Sequence, residues 1–145
     1  MKISVENIVQ EAEALFTGEY NCAEAVSAAI IRAFRGELPD CFPNAATGFG
    51  GGIGSSHDDV CGALTGGIMA IGFVMGPTAS RDRIKQACSE LRSTFLSQFQ
   101  TTRCGTLLSG YSNSNCTKVV GFSAEQTAFI LLRAGSPEQT GATGS

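Results

Sequence analysis

The chain has 145 residues, of which 43% are hydrophobic and 16% charged, a size that suits one domain able to bury a core without staples. A net charge of -3, with ten Lys and Arg scattered without a run, gives no cationic field for a phosphate backbone, so no nucleic-acid partner is expected. Eighteen glycines, six cysteines, one histidine and no tryptophan are the outliers, since average usage of about 7% would give only about ten glycines.

The opening stretch, MKISVENIVQEAEALF, carries Glu6, Glu11 and Glu13 among its apolar residues. It lacks the apolar run of a signal peptide, which makes the cytoplasm the expected compartment. Val5, Ile8, Val9, Ala12, Leu15 and Phe16 recur at helical spacing behind Ser4, a candidate N-cap, and Gly18 follows the last of them. Asn21 and Glu24 have capping-box spacing, and Cys22, Val26, Ala29, Ile30 and Ala33 form the stripe of a second helix that Gly36 ends. From Leu38 to Gly54 two prolines and a glycine cluster predict a loop. Asp58 and Asp59 are expected to cap a third helix, whose seventeen residues from Val60 to Gly76 contain no charge and predict the central, buried helix. That segment falls short of a membrane span and holds five glycines, so no membrane association is expected. Gly62 with Gly66, and Ala63 with Gly67, are spaced to let a second backbone approach closely.

Ser80 opens a fourth helix with Ile84, Ala87, Cys88, Leu91, Phe95 and Phe99 on one stripe. Thr102 caps a short turn, RCGTLL; a loop, GYSNSNCTKVVG, follows; and Ser123 with Gln126 opens a last helix that runs to Arg133 before Gly135. The expected fold is therefore all-α: a single-domain bundle of about five helices over residues 1–135, with a glycine-rich loop before a buried central helix. Residues 136–145 lack apolar side chains and predict a disordered tail.

A reducing compartment makes the six cysteines thiols, metal ligands or redox groups rather than a disulfide framework. Cys22 follows Asn21, Cys61 follows Asp59 by two residues, and Cys104 follows Thr102 by two. Each thus falls at a predicted helix N-terminus, where free N–H groups and the helix dipole favour thiolate. Cys116, in the polar loop, completes a set of four that is able to hold an iron-sulfur cluster or a tetrahedral zinc. Thirty-eight, forty-two and eleven residues separate the four in turn, so there is no C-x-x-C pair and no c-type haem motif. For any one of them a small buried apolar role is the competing reading.

The glycine loop lacks G-x-G-x-x-G and G-K-[ST], no strand precedes it, and Asp58 and Asp59 would repel an anion, so it does not predict a nucleotide site. Gly50, Gly51, Gly52 and Gly62 are instead expected to let backbone amides approach a sulfur-bound cofactor. His57, the lone histidine, is the candidate indirect donor or proton carrier beside the site. No second histidine or G-x-S-x-G elbow supports hydrolysis. Cys88 reads as a core residue and Cys41 as an exposed loop residue without an assigned role.

Asn21-Cys22-Ala23-Glu24-Ala25, the loop Gly48-Phe49-Gly50-Gly51-Gly52-Ile53-Gly54, the run Cys61-Gly62-Ala63-Leu64-Thr65-Gly66-Gly67, and then Cys104 and Cys116 resemble a family of redox-active proteins named for a C, CGAxxG, C, C pattern. The resemblance spans about residues 10 to 134, and a related domain is found in split-Soret cytochrome c. It implies that Cys22, Cys61, Cys104 and Cys116 are the family's four cysteines and that the chain binds an iron-sulfur cluster. The resulting expectation is a small electron-transfer protein carrying a cluster, two-iron by preference, and serving a redox partner protein. Two alternatives use the same residues: a thiol-disulfide protein with Cys61 as redox thiol and no cofactor, or a non-catalytic zinc module. A homodimer is a further expectation, from the need to cover the glycine-rich helix.

Overall fold

The computed structural model describes residues 2–110 and 113–135. Seven helices follow one another in it: α1 (Val5–Thr17), α2 (Cys22–Arg35), α3 (Phe42–Thr47), α4 (Gly62–Met75), α5 (Arg81–Phe99), α6 (Cys104–Gly110) and α7 (Asn113–Ala134). The all-α expectation holds, with seven helices where about five were expected. Among the described residues the only extended pairing is an antiparallel bridge between Val60 and Arg103. The tail from 136 to 145 lies outside the described residues.

Three helices start where the capping pattern places them. Ser4 Oγ accepts from Asn7 N, Asn21 and Glu24 form a reciprocal capping box, and Ser80 Oγ accepts from Arg83 N. Each bond satisfies a donor that a helix start leaves free and is worth about 1 kcal/mol. At the other end of α2, Gly36 takes φ 86° and returns its N–H to Arg32 O, the left-handed stop that glycine adopts without strain.

The elements pack around α2 and α4, which lie against each other; α7 covers both, α1 seals α2 and α7, and α5 closes α4 and α7. α2 buries Ala23 and every residue from Ala25 to Ile31, while α4 buries one side and half-buries the other. Burial is thus shared between the two rather than concentrated in α4. The close packing of α2, α5 and α7 on α4 depends on the α4 glycines. A Cβ on Gly66 would stand 2.6 Å from Ala23 O, and one on Gly67 would stand 2.6 Å from Thr127 Oγ1 and 2.8 Å from Leu91 Cδ2. α5 enters with Leu91 and Phe95, both fully buried, each worth about 2 kcal/mol in removed apolar surface. Phe95, Phe99 and Phe122 continue the contact as two aromatic pairs, 4.8 and 5.1 Å between ring centres.

The structure corrects three boundaries. The two prolines of the 38–54 segment do not keep it a loop: Pro43 lies in the first turn of α3, where a missing N–H costs nothing. The N-cap position of α4 falls on Cys61, which makes no side-chain cap bond, rather than on Asp58 or Asp59. Residues 57–61 are held against 102–105 by Cys61 N to Thr102 O (2.7 Å), Cys104 N to Asp59 O (2.8 Å) and Gly105 N to His57 O (2.7 Å), so the helix cannot begin earlier. Finally, α7 starts at Asn113, ten residues before the expected Ser123, which therefore lies buried in mid-helix and donates to Ala63 O at 2.6 Å. The polar run before Cys116 carries no apolar stripe to announce that helix.

Two substitutions in α4 separate packing from propensity. Gly66→Ala forces α4 away from the α2 backbone and is expected to cost about 1–3 kcal/mol. Gly72→Ala meets nothing within 4 Å and is expected to gain roughly 0.5–1 kcal/mol from helix propensity. Urea denaturation of the two variants checks the opposite signs.

Candidate functional site

The N-terminal ends of α2, α4, α6 and α7 meet on one cavity of about 270 Å³, and Cys22, Cys61, Cys104 and Cys116 all line it. Each cysteine belongs to the start of a different helix. Cys22 and Cys104 occupy first positions, Cys61 is an N-cap, and Cys116 is the fourth residue of α7. The loop position expected for Cys116 is thus corrected to a helical one, and all four sulfurs sit where helix dipoles present their positive ends. A larger groove of about 590 Å³, between the ends of α2, α4 and α7, carries no His, Cys, Asp or Glu.

Main-chain and capping bonds position the four cysteines. Asn21 Nδ2 donates to Thr47 O at 3.0 Å while its Oδ1 accepts from Glu24 N at 2.9 Å, and Thr47 Oγ1 donates to Glu24 Oε2. The start of α2, and with it Cys22, is thereby tied to the end of α3 and the glycine loop. The capping-box spacing announced half of this network, but nothing local in sequence shows a bond across 26 residues. Cys61 and Cys104 are held together by the main-chain pairing of 57–61 with 102–105, and the salt bridge from Arg103 to Asp58 at 3.3 Å lies over it.

The glycines act at the cavity in two ways. Gly50 and Gly51 line it, and a Cβ on Gly50 would collide with the Asn21 side chain. Gly52 and Gly62 stand behind the cysteines: a Cβ on Gly52 would fall 2.6 Å from Cys104 Cβ, and one on Gly62 would strike Cys22 Sγ. Between them the chain turns left-handed, with Gly51, Gly52, Ile53, Gly54 and Ser55 all at φ between 59° and 73° and His57 at 65°. Ile53, Ser55 and His57 each cost about 1 kcal/mol or more there. The turn is held by His57 N to Gly51 O and Gly54 N to Gly48 O, both 2.8 Å. His57 lines the cavity from an exposed position, which places it at the rim. The walls that periodicity did not single out as part of a site are Phe16, Leu107, Val119 and Val120.

The electrostatics reverse one expectation. Burial pushes the Cys61 thiol from 9.0 up to about 12, with repulsion from Cys22 and Cys104 adding to it, against the nearby main-chain amides of Ala63 and Leu64, which favour the thiolate. Burial, then Cys22, also raises Cys104 and Cys116, while Arg103 pulls Cys104 back. Helix starts favour thiolate, but desolvation in an apolar cavity outweighs them when no cation is present. Repulsion from Cys22 adds to the rise at each of the other three. Among the described residues no three His, Cys, Asp or Glu side chains converge closely enough to hold one metal ion. Four cysteines line one space and the glycines beside them carry no Cβ atoms, which is what a group filling the cavity would need.

Cys88 and Cys41 lie elsewhere. Cys88 is half-buried on α5, its Sγ 4.0 Å from Ile68 O, and burial raises its thiol. Cys41 is the exposed N-cap of α3 and makes no cap bond.

A thiol raised by folding contributes stability that is present in full below its unfolded value and is lost as pH climbs toward the folded one. Reduced, metal-free protein is therefore expected to lose stability between about pH 9 and 12, and Cys61→Ser to flatten that loss, in urea melts taken across the range. Alkylation of the same protein at pH 8 is expected to label Cys41 quickly and Cys61 slowly, as mass spectrometry of timed samples will show.

No helix among the described residues is long and apolar enough to cross a membrane. No curated protein and no solved structure matches the chain. One family model does, over residues 20–130, a span that holds all four cavity cysteines and the run Cys61-Gly62-Ala63-Leu64-Thr65-Gly66; its description is "Putative redox-active protein (C_GCAxxG_C_C)". The chain belongs to this redox-active family.

Proposed function

We propose that Cys22, Cys61, Cys104 and Cys116 hold an iron-sulfur cluster, two-iron by preference, and that the protein passes single electrons to a partner protein in the cytoplasm. The observation that carries this reading is the convergence of four cysteines, each from the start of a different helix, on one cavity. When bound, the cluster supplies the one-electron chemistry. The chain's residues do the rest. The thiolates bind, the helix starts and the Ala63 and Leu64 amides stabilise negative sulfur, and Phe16, Leu107, Val119 and Val120 exclude water. The buried, raised Cys61 thiol disfavours direct disulfide exchange, which needs an accessible thiolate. His57 at the rim is the group placed to exchange protons with solvent near the site.

Anaerobic purification and reconstitution, followed by iron, sulfide and zinc assays and a visible spectrum, test the proposal. Broad sulfur-to-iron absorption with near-equal iron and sulfide is expected. Serine at any of the four positions is expected to remove at least half of both, whereas Cys41→Ser and Cys88→Ala keep them. A colourless protein after reconstitution, or zinc alone, overturns the assignment.

A further inference from the structure

The helices α2, α4 and α7 start at the cysteine cavity and end together at the far end of the bundle, so they run in one direction. α4, 14 residues long, puts about 21 Å between the two ends. α2 stops at the left-handed Gly36, α4 at Met75 and α7 at Ala134, and small residues, Ala33, Gly36, Ala79, Ala134 and Gly135, line the space that these ends leave. The result is the groove of about 590 Å³, a volume inside the range of small-molecule sites.

The groove is apolar on its walls and cationic in its polar groups. Phe34 on α2, Val74 and Met75 on α4 and Leu131 on α7 supply the walls, and the unbranched thioether of Met75 lets that wall adapt in shape. The polar side chains that line it are Thr78, Arg35 and Arg83, and no carboxylate accompanies them. Arg83 Nη2 donates to Ala134 O at 3.1 Å, which fixes its guanidinium at the end of α7 and commits one of its five donors. Arg35 enters no ion pair among the described residues. The C-termini of the three helices contribute at most about half a negative charge each. Against them stand two whole guanidinium charges and the positive start of α5, whose first turn holds Arg83; Asp82, in the same turn, does not line the groove.

We propose that this groove binds a small organic anion with an apolar body, a carboxylate of the medium-chain fatty-acid type. Its head pairs with Arg83 and Arg35, whose planar forks match a carboxylate, and its body lies against Phe34, Val74, Met75 and Leu131. The combination of charge and wall selects this class. A cation is repelled by the guanidiniums, a neutral apolar body leaves them unpaired, and an anion without a body gains nothing from the walls. The site lies at the opposite end of the bundle from the four cysteines and stands apart from the cluster reading.

Decanoate is the probe, titrated at neutral pH into the full chain, with calorimetry for stoichiometry and NMR of the Ala33, Met75 and Leu131 methyl groups for location. Saturable binding of one decanoate per chain is expected, moving those methyls and leaving Val119 and Val120 of the cysteine cavity unmoved. Hexanoate is expected to bind at least tenfold more weakly, because it buries four fewer methylene groups, and added salt to weaken both. Arg35→Gln and Arg83→Gln are each expected to weaken decanoate about tenfold, with Arg83→Lys between Arg83→Gln and the parent. If Arg83→Gln does not fold, Ala79→Leu, which narrows the groove and keeps both arginines, is expected to weaken binding by a similar factor. Absence of a saturable shift at the groove methyls overturns the proposal. So does equal binding of decyltrimethylammonium, or unchanged affinity in both folded arginine variants, since either reduces the groove to a surface for apolar adsorption. Contacts of residues 136–145 with the groove in the free protein, or a dimer in sedimentation whose formation shifts the same methyls, assign the groove to this chain itself and overturn the proposal as well.

Discussion

Four helix starts bring four cysteines to one apolar cavity, and the rest of the structure is arranged to permit that meeting. Two opposing forces act there. The unpaired N–H groups of each helix start favour negative sulfur, and removal from water together with mutual repulsion opposes it. Without a cation the second force wins, as the raised Cys61, Cys104 and Cys116 thiols show. A positively charged group among the sulfurs would reverse the balance, because it cancels the repulsion and replaces the lost hydration. The proposed cluster and the chemistry of the family meet in this single requirement.

Bringing the helix starts so close demands small residues behind them. Gly62 leaves room for Cys22 Sγ, Gly52 for Cys104, and Gly66 and Gly67 allow α2 and α7 to close on α4. The glycine surplus is therefore a packing device as much as a loop device. It also brings the Ser123 hydroxyl onto the α4 main chain. Ala63, a wall of the cavity, is thereby tied to α7, while the left-handed 51–55 turn and His57 stand at the rim.

Much of this was legible residue by residue. Ser4, the Asn21 and Glu24 pair, Ser80 and Gly36 marked helix ends correctly because caps and left-handed stops are local chemistry. Cys22 was visible for the same reason, beside the Asn21 cap, whereas Cys61 and Cys104 do open helices although the residues expected to cap them do not. Cys116 was placed in a loop because the polar start of α7 carries no apolar period, and what shapes that segment is packing across the bundle. Asp58 and Asp59 were natural caps by type, yet the pairing of 57–61 with 102–105 uses those residues' main chain instead. Ser123 has the spacing of a capping box, and only the position of α4 turns it into a cross-helix donor.

Composition, caps and apolar periods by themselves determined an all-α chain, most of its helix ends, and the cysteines that sit at helix starts, because those features depend on residues within a turn or two of one another. Tertiary structure alone decided that the four thiols share one cavity, that α4 begins just after Cys61, that burial rather than the helix dipole governs its proton, and that Ser123 reaches the Ala63 carbonyl. Each of these depends on which segments meet across tens of residues, and on how much water their meeting leaves behind.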